Sequence, residues 1–272
     1  MEPYLIALDL DGTLLSSEKK ILNRTKKAIL EAKSAGHFVV ISTGRPYRAS
    51  QPYYEELGLT TPIVNFNGAY VHHPLDPEWG VFHTPLELET VKEILKTCDG
   101  YQLKNIIIEV MDDVYIKNED PEIVDSFTMG AKKLVYGPIE ETLKASPSSI
   151  LIQTEDREVD HLLQALESDY ADAIEQRSWG SPSNIIEIVR RGINKAIGLK
   201  RVADRLGVPK ERIIAFGDED NDIEMLRFAG CGVAMGNALE SLKHVADTET
   251  ATNDEDGIAL FLEKHVLHSV LK

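Results

Sequence analysis

Cysteine is scarce in this chain of 272 residues: Cys98 and Cys231 are the only two, and they lie far apart. No CxxC pair or zinc-ligand spacing can be drawn from them, so both read as reduced thiols of a cytoplasmic protein. Long apolar runs are missing too. None approaches the roughly 18 residues a membrane-spanning helix needs. A strand pattern begins at Leu5, so no signal peptide is expected and Asn23-Arg24-Thr25 has no meaning as a glycosylation sequon. Positive charge is in deficit, with 29 Lys+Arg against 45 Asp+Glu and a net charge of -16. That balance argues against a general nucleic-acid binder or a partner of anionic membranes. No Gly-Lys dipeptide occurs, hence no Walker A loop. Gly230-Cys231-Gly232 is not a dinucleotide fingerprint, because the third glycine falls one position late, at Gly236. Internal repeats and low-complexity linkers are also lacking.

What remains is an ordinary globular composition, 43% hydrophobic and 27% charged. The length suits one large domain or two modest ones. Apolar runs and helical periodicities alternate in the first third. Leu5–Leu8 is a strand, followed by a helix over Thr25–Ala35 with Asn23 as cap and Gly36 as stop. Phe38–Ser42 is a second strand and Tyr47–Leu57 a second helix. Ile63–Phe66 and Ala69–His72 are strands around an Asn67-Gly68 turn.

From Pro85 the rhythm changes. Leu88, Val91, Ile94, Leu95 and Cys98 share one helical face. Strands are expected at Ile106–Val110 and Val114–Ile116, around a tight turn at Asp112-Asp113, and at Ser149–Gln153. A helix carries Val159, Leu162, Leu163 and Leu166 on one stripe. Ala173–Arg177 and Ile185–Val189 pair around Gly180-Ser181-Pro182. The βα rhythm resumes at Asn194, with a helix bearing Leu199, Val202, Ala203 and Leu206. Strands Arg212–Phe216 and Gly232–Met235 follow, and a last helix starts near Gly257. The expectation is an α/β protein. A Rossmann-like doubly wound parallel core (1–83 and 189–272) carries an inserted α+β domain (84–188). His72-His73 reads as turn surface, and Trp79 and Trp179 as packing or hinge residues near the domain boundaries.

Four segments stand at the ends of core elements. Asp9-Leu10-Asp11-Gly12-Thr13 follows the first strand, where open α/β sheets bind ligands. Four such fixed positions recur by chance in on the order of one chain of this length in a thousand. Two carboxylates two residues apart repel, unless a cation such as Mg²⁺ sits between them. One could then attack while the other handles a proton. A solvated Asx turn is the plainer alternative. Thr43-Gly44 ends the second strand; it is a phosphate cradle or simply a turn. Lys195 opens a helix against the macrodipole, so it either faces a bound anion or is a surface lysine. Gly217–Asp222 brings four carboxylates after an apolar strand. Neither acidic loop fits the calcium-binding helix–loop–helix template.

Together, DLDGT (9–13), STGRP (42–46), NGA (67–69), NK (194–195), GDEDNDIEM (217–225) and GVAMGNA (232–238) resemble the haloacid dehalogenase superfamily, in its Cof-type sugar-phosphatase-like branch with a C2 cap. The family usually has Lys-Gly where this chain has Lys195-Ala196. The resemblance implies a Mg²⁺-dependent phosphomonoesterase for small phosphorylated metabolites, sugar phosphates foremost, working through an aspartyl-phosphate. By position, Asp9 would be nucleophile and metal ligand. Asp11 would be general acid/base, with its carbonyl on the metal, and Asp218 a further ligand. Leu10, Thr43, Gly44, Lys195 and Asn221 would hold phosphate. Asp222 would orient Lys195 or a metal water, and Arg45 and Asn67 would face the substrate. The cap would select the leaving group. A phosphomannomutase-like transferase and a non-catalytic phosphate sensor are the alternatives. The compact GDEDND loop, without an inserted Gly-Gly, favours the hydrolase over the mutase. A monomer or small homo-oligomer is expected.

Overall fold

The computed structural model describes residues 2–120, 127–179 and 184–267. In chain order the strands are β1 (Leu5–Leu8), β2 (Phe38–Ile41), β3 (Ile63–Asn65), β4 (Tyr70–His72), β5 (Val81–His83), β6 (Leu103–Val110) and β7 (Asp113–Ile116). They continue as β8 (Lys133–Tyr136), β9 (Ser149–Thr154), β10 (Ile174–Ser178), β11 (Ile185–Arg190), β12 (Ile213–Gly217), β13 (Cys231–Ala234) and β14 (Thr248–Glu249). The chain divides into two compact units. One gathers the residues up to Arg45, Ser50–Phe82 and those from Asn194 onward; the other holds Pro46–Ala49 and His83–Ile193.

The first unit is built on a parallel five-stranded sheet in the order β14-β13-β12-β1-β2. All four residues of β1, Leu-Ile-Ala-Leu, are buried, as a central strand covered on both faces requires. Leu5 and Ala7, with Val40, Ile213 and Ala215, face Leu199, Val202 and Ala203 of the helix Lys195–Leu206. The next residue of β12, Phe216, points the other way. Its ring meets Phe261 edge-on at 5.3 Å, on the helix Gly257–Leu262. A smaller sheet, β3-β4-β5, belongs mostly to the same unit. Trp79 packs there edge-on against Phe82 at 5.6 Å, with Arg205 over its ring.

The helix expected from Thr25 begins earlier, at Asn23, and Leu22 rather than Asn23 is its N-cap. No local side chain caps it. Instead Thr25 donates its N–H and its hydroxyl to Asp256 Oδ1, at 3.1 and 2.9 Å. A distant carboxylate satisfies the donors a local cap would serve.

The second unit contains a six-stranded sheet, β10-β11-β9-β6-β7-β8, in which β7 and β8 run parallel and the other pairs antiparallel. Ile106, Ile108, Ile150, Ile152, Ile186 and Ile188 form one apolar face. It packs on Val91, Ile94 and Leu95 of the helix Leu88–Cys98 and on Leu162 and Leu166 of the helix Asp156–Tyr170. Cys98 lies in this core, where burial pushes its thiol up to about 12 and leaves it inert. On the segment Pro46–Ala49, Arg48 forms a buried ion pair with Glu109, which also accepts from Ser149 Oγ at 2.9 Å. The β6–β7 turn is Met111-Asp112, one residue earlier than expected, with Met111 at φ 53°. Strand β8, missed in sequence, is a partly exposed edge strand without a clean alternation. The expected turn at Gly180-Ser181-Pro182 lies outside the described residues. Trp179 stacks with Phe127 at 6.1 Å and donates to Glu187 Oε2 at 3.2 Å. Among the described residues no helix is long and apolar enough to cross a membrane.

Leu199 is fully buried against the parallel sheet. Leu199→Ala should lower the free energy of unfolding by about 2–5 kcal/mol, the usual loss for an apolar core truncation. Denaturant titration measures it; a loss under about 1 kcal/mol would contradict the packing described.

Candidate active site

β1 and β12 are hydrogen-bonded neighbours, with β2 beyond the first and β13 beyond the second. Strand order reverses at this pair, and a doubly wound sheet leaves its crevice there, at the carboxyl ends. Asp9 follows β1 and Asp218 follows β12, so the topology delivers two carboxylates to one place.

Lys195 joins them from the first turn of its helix, whose N-cap Asn194 accepts from the Ile197 N–H at 3.1 Å. Its side chain is buried, which removes the surface-lysine alternative. The ammonium lies 2.7 Å from Asp9 Oδ1 and 2.7 Å from Asp222 Oδ1. These carboxylates are the counter-anions a lysine at a helix N-terminus needs. Asp222 Oδ2 accepts the N–H groups of Asp218 at 3.1 Å and Glu219 at 3.2 Å, pinning its own loop. Thr13 Oγ1 donates to Asp218 Oδ1 at 2.8 Å, and Asn237 Nδ2 donates to the Gly12 carbonyl at 2.8 Å. Gly12 has φ 77°, and a Cβ there would stand 2.0 Å from Asp218 Oδ2. Only glycine allows the two acidic loops this approach.

Oxygens of Asp9, Asp218 and Asp222 all lie within 4.8 Å of one another. Burial pushes Asp9 up to about 7; Lys195 opposes that rise, while the charges of Asp222 and Asp11 add to it. Burial, then the charges of Asp9 and Asp222, push Asp218 up to about 8. Lys195 is held above its ordinary value, because the two carboxylates beside it outweigh the cost of burying its charge. Three buried carboxylates thus share one ammonium. Such an excess of hard oxygen donors fits a divalent metal centre of the Mg²⁺ type.

Asp11 stands apart from that cluster. It receives Arg45 Nε and Nη2, each at 2.6 Å, and Lys19 Nζ at 2.7 Å. Burial alone would raise its pKa, but the Arg45 fork and then Lys19 hold the carboxyl down at about 2. Asp9 is paired with Lys195, and Asp11 with Arg45 and Lys19. Arg45 therefore rests on Asp11.

The remaining predicted residues flank the cluster. Leu10 is buried in the Asp9 loop. Thr43 accepts the Arg45 N–H on Oγ1 at 3.1 Å, and its own N–H donates to Val64 O at 2.9 Å. Gly44 lies against the Asn67 amide. Asn221 donates through Nδ2 to Asn67 Oδ1 at 3.0 Å. Thr13, Lys19, Asn65 and Asn237 were missed as site residues. Thr13 and Asn237 sit inside the quoted motifs, so attention to hydrogen-bonding types there would have found them. Lys19 sits in no motif and reaches Asp11 only through the fold.

A family model of the haloacid dehalogenase-like hydrolases matches residues 6–262. The chain belongs to this family. It is 50% identical to a 5-amino-6-(5-phospho-D-ribitylamino)uracil phosphatase of Bacillus subtilis, over 97% of this chain and 98% of the relative. A second Bacillus subtilis phosphatase of the same name is 33% identical, over 97% of this chain and 96% of the relative. A haloacid dehalogenase-like hydrolase from Bacteroides thetaiotaomicron shares the fold with a TM-score of 0.82 and 28% identity, over 97% of this chain and 99% of that structure. This haloacid dehalogenase-like hydrolase is thus a phosphatase of the Cof type, with an α/β core and an inserted mixed-sheet domain.

The site predicts a pH-dependent answer to metal. In the metal-free protein Asp9 and Asp218 keep protons up to about 7 and about 8, whereas the unfolded chain releases them near 3.8. The folded state then binds more protons, so these groups lower stability progressively as pH rises through that window. Mg²⁺ should raise Tm, and more at about pH 8.5 than at about pH 6, where protons compete for the same oxygens. Thermal scans with and without Mg²⁺ check this; an equal Tm rise at both pH values would contradict it.

Proposed function

We propose that this phosphatase removes the phosphate from a ribitylamino-pyrimidine phosphate, through an aspartyl-phosphate on Asp9. The observation carrying the substrate class is the 50% identity, over nearly the full length, to the ribitylamino-uracil phosphatase. It favours that class over the sugar phosphates expected from the resemblance. The chemistry rests on the site itself.

Asp9 is the nucleophile. Lys195 fixes its Oδ1, and among the described residues nothing donates to Oδ2. A carboxylate held on one side and open on the other is poised for attack on phosphorus. Oδ2 forms the new P–O bond as the bond to the ribityl oxygen breaks, and water then cleaves the acyl phosphate. Thr43, Gly44, the Leu10 amide, Asn221 and Lys195 hold the phosphoryl oxygens. Asp9, Asp218 and the Asp11 carbonyl would hold Mg²⁺, with Asp222 orienting Lys195. When bound, the metal supplies positive charge that offsets repulsion between the phosphate dianion and the carboxylates. Asp11 handles the leaving-group proton. Its clamp by Arg45 and Lys19 keeps it ionised, so proton delivery requires the Arg45 fork to release it. The unit formed largely by His83–Ile193 acts as the cap that reads the pyrimidine end of the substrate.

Two outcomes test this reading. Asp9→Asn should keep the fold and lose at least about 1000-fold in kcat, since an amide is a poor nucleophile. Retention of more than about a tenth of kcat would remove Asp9 from the role. In a phosphate-release panel with Mg²⁺, the ribitylamino-uracil phosphate should exceed hexose phosphates by about tenfold or more in kcat/KM. Equal or better turnover of a hexose phosphate would return the sugar-phosphatase assignment.

A further inference from the structure

The turn Asn65-Phe66-Asn67-Gly68 between β3 and β4 holds three consecutive left-handed residues. Phe66 has φ 50°, Asn67 φ 52° and Gly68 φ 97°. Left-handed backbone is unremarkable for glycine and tolerable for asparagine, but it is strained for a bulky aromatic residue. Phe66 is nevertheless fully buried in that conformation. Strain of this kind persists where the surroundings over-determine it, and it gathers at functional sites.

The surroundings are the site loops. The Asn67 N–H donates to Thr43 O at 3.1 Å, and the Phe66 N–H donates to Arg45 O at 3.3 Å. Asn65 Nδ2 donates to the same Arg45 carbonyl at 2.9 Å and to Ser50 Oγ at 3.0 Å. The Asn67 amide accepts from Asn221 Nδ2 at 3.0 Å. It also lies so near Gly44 that a Cβ there would stand 3.2 Å from Asn67 Oδ1. On the far side, a Cβ on Gly68 would stand 2.3 Å from the carbonyl of Asn194, the residue before Lys195. A Cβ on Gly198, one turn into that helix, would stand 2.4 Å from Val64 Cγ1. One strained turn therefore touches the Thr43–Arg45 loop, the Asn221 loop and the start of the Lys195 helix. These segments are far apart in sequence.

We infer that Asn67 is a positioning residue: its amide aims Asn221 at the substrate phosphate, and its left-handed backbone sets the distance between the Thr43–Gly44 loop and the Asn221 loop. The inference rests on the reading of Thr43 and Asn221 as phosphate-binding. It revises the expectation that Asn67 itself faces the substrate. Its Oδ1 accepts from Asn221 and its N–H donates to Thr43 O.

The test is steady-state kinetics on the full-length enzyme with Mg²⁺. The substrate is p-nitrophenyl phosphate, and inorganic phosphate is the competitive inhibitor. Asn67→Gly keeps the left-handed backbone free of strain and deletes only the amide. It should raise KM and the phosphate Ki by about tenfold while kcat changes by less than about threefold, the pattern of a lost binding geometry. A merely structural role would lower Tm and the active fraction and leave KM and Ki alone. Because Asn67 acts through Asn221, adding Asn67→Gly to Asn221→Ala should change Ki no further. If the glycine variant does not fold, Asn67→Ser replaces it, since the hydroxyl stops one atom short of the amide oxygen; the expectation is the same. An unchanged KM and Ki, or effects of Asn67→Gly and Asn221→Ala that multiply, would overturn the inference. Should Asn221→Ala and Thr43→Ala themselves leave the phosphate Ki unchanged, the phosphate-binding reading fails first, and the inference with it.

Discussion

A buried ammonium between two carboxylates organises this molecule. Lys195 Nζ sits 2.7 Å from both Asp9 and Asp222, out of contact with water. Burying a charge is costly unless it is paired and hydrogen-bonded, and removing one partner leaves the other charge stranded. That constraint ties together three pieces of chain distant in sequence: the end of β1, the end of β12 and the head of the Lys195 helix. Each must arrive within hydrogen-bond reach for any of them to be tolerable. The parallel sheet and the pinned Asp222 loop are the means of arrival. The same arrangement leaves more negative charge than one ammonium can balance, which suits the site to a divalent cation and an anionic substrate.

Much of this was legible in the sequence because the chemistry sits in contiguous motifs at strand ends. β1, β2 and β12 are short runs, mostly of Leu, Ile, Val, Ala and Phe, followed within two residues by Asp9, Thr43 and Asp218, so both the sheet and its crevice could be read from pattern. The inserted unit was readable as α+β from Ile106, Ile108, Ile150, Ile152, Ile186 and Ile188, which alternate with residues of the other face. What escaped was whatever depends on long-range partners. The cap of the first helix comes from Asp256 instead of Asn23, and no local pattern announces a carboxylate more than two hundred residues away. β8 carries no clean alternation because, as an edge strand, it buries little. The clamp on Asp11 escaped for the same reason: Lys19 has no motif, and Arg45 reaches Asp11 only when two strand ends are neighbours.

The site also shows how glycines and strain serve packing instead of mobility. Gly12 brings two acidic loops closer than any side chain would allow, and the 65–68 turn brings three loops together at a conformational cost in Phe66. Such features raise the free energy of the folded chain locally and are offset by the buried apolar sheet beneath. Precision at the crevice is thereby inherited from a rigid layer, while the unit built on the six-stranded sheet has its own separate core.

Asp9 should become phosphorylated during turnover. Acid quench during turnover, followed by borohydride reduction and peptide mass spectrometry, reads this directly, because an acyl phosphate on aspartate is reduced to homoserine. The prediction is homoserine at position 9, dependent on substrate and on Mg²⁺, with Asp11 and Asp218 unmodified. Reduction at another carboxylate, or none at position 9 while phosphate is released at full rate, would contradict the assignment of the nucleophile.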